Sequence, residues 1–265
     1  MRLHYSNPGF DYSLDSIMLF ETGEQSEFWR SSLFYFYPEL DKSRADALDL
    51  TARRDYYAEV LRPAYDAMLP ELTRKLDAYN AHWQENERRV NDAFSELFGR
   101  DLSGQLNDMQ GRIALNNVCP RFLDQRAFDV FWRNSERGAM GIALHEMTHF
   151  VWFSVWQQHF HDSPADYETP HLKWILSEMV VECYLSHPTL RALDPYFEPE
   201  NGGCIYPYFY DLTLDGAPLL NHLHRLFTPG QPEVFMESAW DFVQRHEPAI
   251  RAHIASSEEK LAQAD

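Results

Sequence analysis

Cysteine is scarce in this chain. Cys119, Cys183 and Cys204 are the only three in 265 residues, and they are widely spaced with no CxxC pair. An odd, scattered set argues for a reducing compartment and against a cysteine-based metal site. Basic residues are also few. The 23 Lys and Arg face 41 Asp and Glu, giving a formal charge of −18 and a pI near 5.0. That balance disfavours nucleic acid and anionic membrane as partners. No run of 18 or more apolar residues occurs, and the opening MRLHYSNPGFDYS has no apolar signal core. The expected location is cytoplasmic. Repeats and low-complexity tracts are absent as well.

What the chain does have is apolar content, 45%, ample for the core of one large domain or two small ones. Aromatics crowd the first forty residues, where Phe28, Trp29, Phe34, Tyr35, Phe36 and Tyr37 read as core. Ser26 can cap a short helix there, or 32–37 can be a strand; periodicity fits both. Residues 41–99 have a helical period and predict two or three antiparallel helices, punctuated by Pro63 and Pro70. The loop 99–111 is the expected boundary between a region 1–104 and a region 105–265. Two strands are predicted over 112–118 and 126–132. After 186 the sequence turns irregular around its prolines, then 219–227 and 232–254 read as helices before a polar tail.

The chemistry concentrates at 138–160, GAMGIALHEMTHFVWFSVWQQHF. On a helix, His145 and His149 stand one turn apart on one face, their Cβ atoms roughly 5–6 Å from each other. Both imidazoles can then reach one Zn²⁺ at about 2.0–2.1 Å. Glu146, about 100° around the helix, can act as general base on a zinc-activated water. Ile142, Ala143, Met147, Phe150, Val151 and Trp152 make this a buried helix, although Gly138 and Gly141 weaken its first turns. The bland alternative is a hydrogen-bonded pair of core histidines beside a carboxylate.

A hydrolytic zinc takes three protein ligands and keeps one position for water. A third histidine six residues after His149 is missing, since Val155 occupies that place. His159 and His161 are too far along the helix; His159 alone lies about 15 Å beyond His149. Pro170 can start a second helix over 171–186, on which His171, Ile175, Glu178 and Glu182 share one stripe. A helix returning across the first can present Glu178 to the metal. Glu182, one turn on, can accept a hydrogen bond from a ligand histidine. The competing reading is a solvated acidic face, against which stand the apolar neighbours Met179, Val180, Val181 and Cys183.

His145-Glu146-Met147-Thr148-His149, 28 intervening residues and Glu178-Met179-Val180-Val181-Glu182 together resemble the gluzincin group of metallopeptidases, the thermolysin-like clan. The resemblance covers roughly 112–186 and implies one Zn²⁺ per chain on His145, His149 and Glu178, with Glu182 supporting a ligand histidine. It implies an α+β, predominantly helical fold: an N-terminal helical region packed on a zincin-like core with a small antiparallel sheet and two metal-bearing helices. One of the two predicted strands would be the edge that pairs with extended substrate. The Gly-x-Met-Glu-Asn motif of the aminopeptidase branch is absent. The expected function is a zinc metallopeptidase acting on a peptide or small protein, with Glu146 as base. An oxyanion-stabilising donor comes from Tyr206, Tyr208, Tyr210, His222 or His224; Tyr206, between a Gly-Gly pair and a proline, is the first choice. The alternatives are a zinc amidase or esterase on a non-peptide substrate, and a helical interaction protein without catalysis.

Overall fold

The computed structural model describes residues 1–23, 26–102 and 104–264. It is predominantly helical, as expected, and has two small sheets among the described residues where one was expected. The chain forms two compact units, one from 2–83 and 108–139, the other from 84–107 and 140–264 together with Met1. A single cut near residue 104 does not describe this division, because the chain crosses between the units more than once.

The first unit begins with β1 (Leu3–Ser6) and α1 (Phe10–Met18), followed by α2 (Ser26–Phe36), α3 (Lys42–Asp46) and α4 (Leu50–Leu97). Residues 32–36 are therefore helical; a cap by the Ser26 side chain and the Phe28 ring lie outside the described residues. The two or three helices expected over 41–99 are instead the short α3 and one unbroken α4. Asp49 starts α4, accepting from the Ala52 amide at 2.9 Å. Pro63 and Pro70 sit inside the helix on exposed turns. The carbonyls they leave unbonded can therefore turn to water. Their cost, about 3 kcal/mol each, is offset by the buried face of Tyr57, Leu61, Tyr65, Leu72 and Tyr79.

The sheet of this unit joins β1, β2 (Met109–Ala114), β3 (Arg121–Phe122) and β4 (Ala127–Phe131) in the order β1-β2-β4-β3. It is mixed rather than antiparallel: β1 pairs parallel with β2 and β2 parallel with β4, and only β3 runs antiparallel to β4. The segment 115–126 is long enough for the crossover that a parallel pair needs. Both predicted strands are consequently interior, so neither offers the free edge expected of them. The edge at β1 is itself covered, since Asn80 on α4 accepts from the Tyr5 amide at 2.9 Å and donates to its carbonyl at 3.0 Å.

The second unit carries the last turns of α4, most of α5 (Glu136–Phe160), then α6 (Leu172–Leu185), α7 (Pro188–Leu193) and α8 (Pro207–Asp211). It continues through a hairpin of β5 (Thr213–Leu214) and β6 (Ala217–Pro218) to α9 (Leu219–Leu226) and α10 (Pro232–Ala264). The hairpin turns on Asp215-Gly216, both with positive φ, a Asp-Gly signal present in the sequence. Around the prolines after 186 the chain is partly helical, because Pro188 and Pro207 occupy first turns, where a missing N–H costs nothing. The segment read as a polar tail continues α10 to Ala264. An aromatic core joins these helices. Tyr184 stacks on Phe98 with centroids 4.5 Å apart and meets Trp152, Phe227 and Phe235 edge-on or tilted. Just past the end of α4, Gly99 has a left-handed φ that closes the helix, and its missing Cβ admits the Gly230 carbonyl.

A buried carboxyl in the first unit gives a pH test. Asp129 on β4 is fully buried and accepts from Tyr12 at 2.6 Å and Ser16 at 2.5 Å, with Arg112 on the Tyr12 hydroxyl. Burial raises its pKa against those hydrogen bonds and Arg112, to about 6. A folded-state pKa above the unfolded one means that the folded chain holds the proton longer. Stability therefore falls as pH rises from the ordinary carboxyl range through about 6. Asp129→Asn is expected to remove a fall on the order of 3 kcal/mol. Urea unfolding of both proteins at about pH 4 and pH 7 measures it.

Candidate metal centre

Helix α5 carries His145 and His149 one turn apart on a segment whose other faces are apolar and buried, with Ala143, Leu144, Met147, Phe150, Val151 and Trp152 each at most 4% exposed. Helix α6 is buried along nearly its whole length and brings Glu178 to the same point. The two Nε2 atoms are 2.9 Å apart. Oε2 of Glu178 lies 3.3 Å from His145 Nε2, and Oε1 lies 3.4 Å from His149 Nε2. Three ligand atoms thus converge, one from each residue, all within 4.8 Å of one another.

These spacings suit a tetrahedral cation. Bonds of about 2.0–2.1 Å at tetrahedral angles set neighbouring donors about 3.3–3.4 Å apart. Each imidazole has one carboxylate oxygen at that distance, Oε2 for His145 and Oε1 for His149, and the imidazole pair needs to open by only a few tenths of an ångström. Two imidazoles and one carboxylate form a donor set that Zn²⁺ accepts in catalytic sites. His149 and Glu178 side chains are 0% and 5% exposed, whereas His145 is 22% exposed, so the cluster opens to solvent on the His145 side.

The electrostatics ask for positive charge here. Burial alone would raise the Glu178 pKa, yet the neighbouring His149 and His145 hold it well below the usual carboxylate range. Burial alone would lower the His145 pKa, but Glu178, the nearby Glu146 and the Cys204 carbonyl raise it to about 9. Glu146 itself is buried.

Several neighbours that the sequence did not single out hold this cluster. His145 Nδ1 faces the backbone carbonyl of Cys204 at 2.9 Å, which directs its Nε2 toward Glu178. Phe153 stacks along His149 at 18° between planes, and Tyr167 stacks on Phe153 with centroids 4.3 Å apart. Tyr167 is anchored in turn by its hydroxyl on Asp162 at 2.5 Å, where Lys173 also binds at 2.7 Å. The connection between α5 and α6 is thus pinned. Further back along the same face of α5, Asp194 is buried, accepts from the Tyr196 amide at 2.9 Å and lies against Gly141, one turn before His145. The carbonyl contact had no residue-type signal, since it comes from the backbone and any residue can supply it.

The remaining sequence candidates fall elsewhere. Glu182 meets His224 Nε2 at 2.6 Å rather than the ligand-facing Cys204 position, so for His145 the orienting contact is the backbone carbonyl. Tyr206 precedes α8, stacks on Tyr208 at 5.2 Å and meets Trp174, one turn before Glu178 on α6, at 6.0 Å. The Tyr210 hydroxyl is placed on Cys204, accepting from its amide at 3.1 Å. His222 faces the Leu214 carbonyl at 2.8 Å, and His159 pairs with Glu237 at 2.7 Å. No family model matches the sequence, and neither a curated protein nor a solved structure was found to be similar to it. None of the helices is long and apolar enough to cross a membrane among the described residues.

Gly141 provides a stability test. A Cβ there would lie 2.5 Å from Asp194 Oδ1, 3.0 Å from the Tyr196 ring and 3.1 Å from Pro195. Glycine to alanine inside a helix normally gains about 0.5–1 kcal/mol. Gly141→Ala is expected to lose stability instead, read as a lowered thermal midpoint, because Asp194 is held by its own hydrogen bond and cannot retreat. A raised midpoint would show that Asp194 yields freely.

Proposed function

We propose that the chain is a zinc-dependent hydrolase, and most specifically a metallopeptidase acting on a peptide or small protein. The observation that supports it is the convergence of His145, His149 and Glu178 inside apolar helices, open to water on one side, with Glu146 beside His145. The resemblance of HEMTH and the downstream glutamate to gluzincins points the same way. When bound, Zn²⁺ lowers the pKa of a water toward about 7 and polarises the carbonyl under attack.

The protein's own groups do the rest. His145, His149 and Glu178 supply the donors, and the Cys204 carbonyl keeps the His145 ring turned toward them. Glu146 takes the proton from the attacking water and passes it to the leaving amine, the usual general acid–base exchange. Its burial keeps bulk water from competing for that proton. Tyr206 remains the proposed donor to the developing oxyanion, since its ring packs beside Trp174 on the helix that carries Glu178. A cytoplasmic site of action accords with the scarcity of cysteine.

The test combines metal analysis with a peptide-library digest. His149→Ala is expected to lose about one zinc ion per chain. Glu146→Gln is expected to keep that ion while hydrolysis falls by several orders of magnitude, because only the base is gone. A Glu146→Gln protein that lost zinc would make Glu146 a ligand. A chain that took up no transition metal after zinc reconstitution at neutral pH would end the reading. Cleavage of amides or esters without cleavage of any peptide would keep the zinc and change the substrate.

A further inference from the structure

We propose that Glu182, Cys183 and His224 form a second metal site, one that takes a borderline-soft divalent cation of the Zn²⁺ and Co²⁺ class and is separate from the His145 cluster. Each of the three offers one ligand atom, and these atoms lie within 4.8 Å of one another. Glu182 and Cys183 are adjacent on α6, and His224 comes from α9. Imidazole and carboxylate already face each other, with Nε2 hydrogen-bonded to Oε2 at 2.6 Å.

The site is fixed from both helices. Leu219 and Leu223, fully buried, hold α9 down at the turn that carries His224. Cys183 is fully buried within α6, while the Glu182 side chain is 13% exposed and that of His224 is 39% exposed. A cation entering past His224 therefore meets three protein donors and keeps solvent on its fourth side. Thiolate with imidazole selects against Mg²⁺ and Ca²⁺, which prefer oxygen alone. A bond to sulfur of about 2.3 Å and to nitrogen of about 2.0–2.1 Å sets those donors about 3.5 Å apart, while the imidazole and carboxylate, now 2.6 Å apart, open to about 3.3 Å as the cation enters.

The proton balance is simple. Without metal the Cys183 thiol is held protonated, chiefly by burial and then by Glu182 and Cys204. The His224 imidazolium is favoured chiefly by its hydrogen bond to Glu182. Binding converts the thiol to thiolate and the imidazolium to imidazole, and both protons leave to solvent. The competing account is a plain ion pair between Glu182 and His224 that fastens α9 to α6 and never takes metal.

Sulfur distinguishes this site from the first, whose donors are nitrogen and oxygen. The experiment is a Co²⁺ titration of the full chain, followed by near-ultraviolet thiolate-to-cobalt absorption and by bound metal per chain. Wild type is expected to bind about two ions, one of which gives the thiolate band. His149→Ala is expected to keep the band while losing the other ion. Cys183→Ser is expected to lose the band. His224→Ala, at an exposed position where folding is not at stake, is expected to lose it as well or to need at least about tenfold more cobalt. Absence of the band from wild type at saturating Co²⁺ overturns the proposal, as does its persistence in Cys183→Ser. Failure of the first site appears differently, as a thiolate band with no second ion.

Discussion

Two imidazole nitrogens and a carboxylate held 2.9–3.4 Å apart in an apolar interior need a positive charge among them. Bare lone pairs at that spacing would repel, and an isolated buried carboxylate would be costly. A shared proton or a metal ion meets the need, and the other features of the second unit follow from keeping the three donors converged. α5 and α6 are apolar on nearly all other faces, so neither can rotate its polar residues elsewhere. Phe153 and Tyr167 brace one imidazole, and the Cys204 carbonyl aims the other. Gly141 permits the buried Asp194 segment to press against the helix a turn earlier.

The elements of this centre were legible in the sequence because the signal is local. His145 and His149 are one helical turn apart whatever the tertiary fold, and the apolar residues between them declare burial. Glu178 was legible for a similar reason: two carboxylates in an otherwise apolar helix call for partners. Beyond that reach, pattern gave way to packing. Whether Glu182 turned toward a ligand histidine or toward His224 depended on where α9 came to lie, and no period in α6 encodes that. The Cys204 carbonyl belongs to the backbone and leaves no trace in residue types.

The fold shows the same boundary between local and distant information. Pro63 and Pro70 carry a correct local penalty, yet α4 runs through both, because the buried tyrosine and leucine stripe on its other side outweighs them. The strands were found, the first at 109–114 instead of 112–118, but their direction was not. Alternation identifies a strand without saying which neighbour it pairs with, and β1, the four residues that make β2 interior, is too short to announce itself. Asp215-Gly216 was the opposite case, a local turn signal that was there to be read.

The central claim is that His145, His149 and Glu178 hold one metal ion between them. Diffraction from zinc-saturated crystals at wavelengths on either side of the zinc absorption edge tests it most directly. The account predicts an anomalous peak within about 2.0–2.2 Å of His145 Nε2, His149 Nε2 and a Glu178 oxygen. Density at the centre of that triangle without an anomalous signal, in crystals shown to contain zinc, would contradict it.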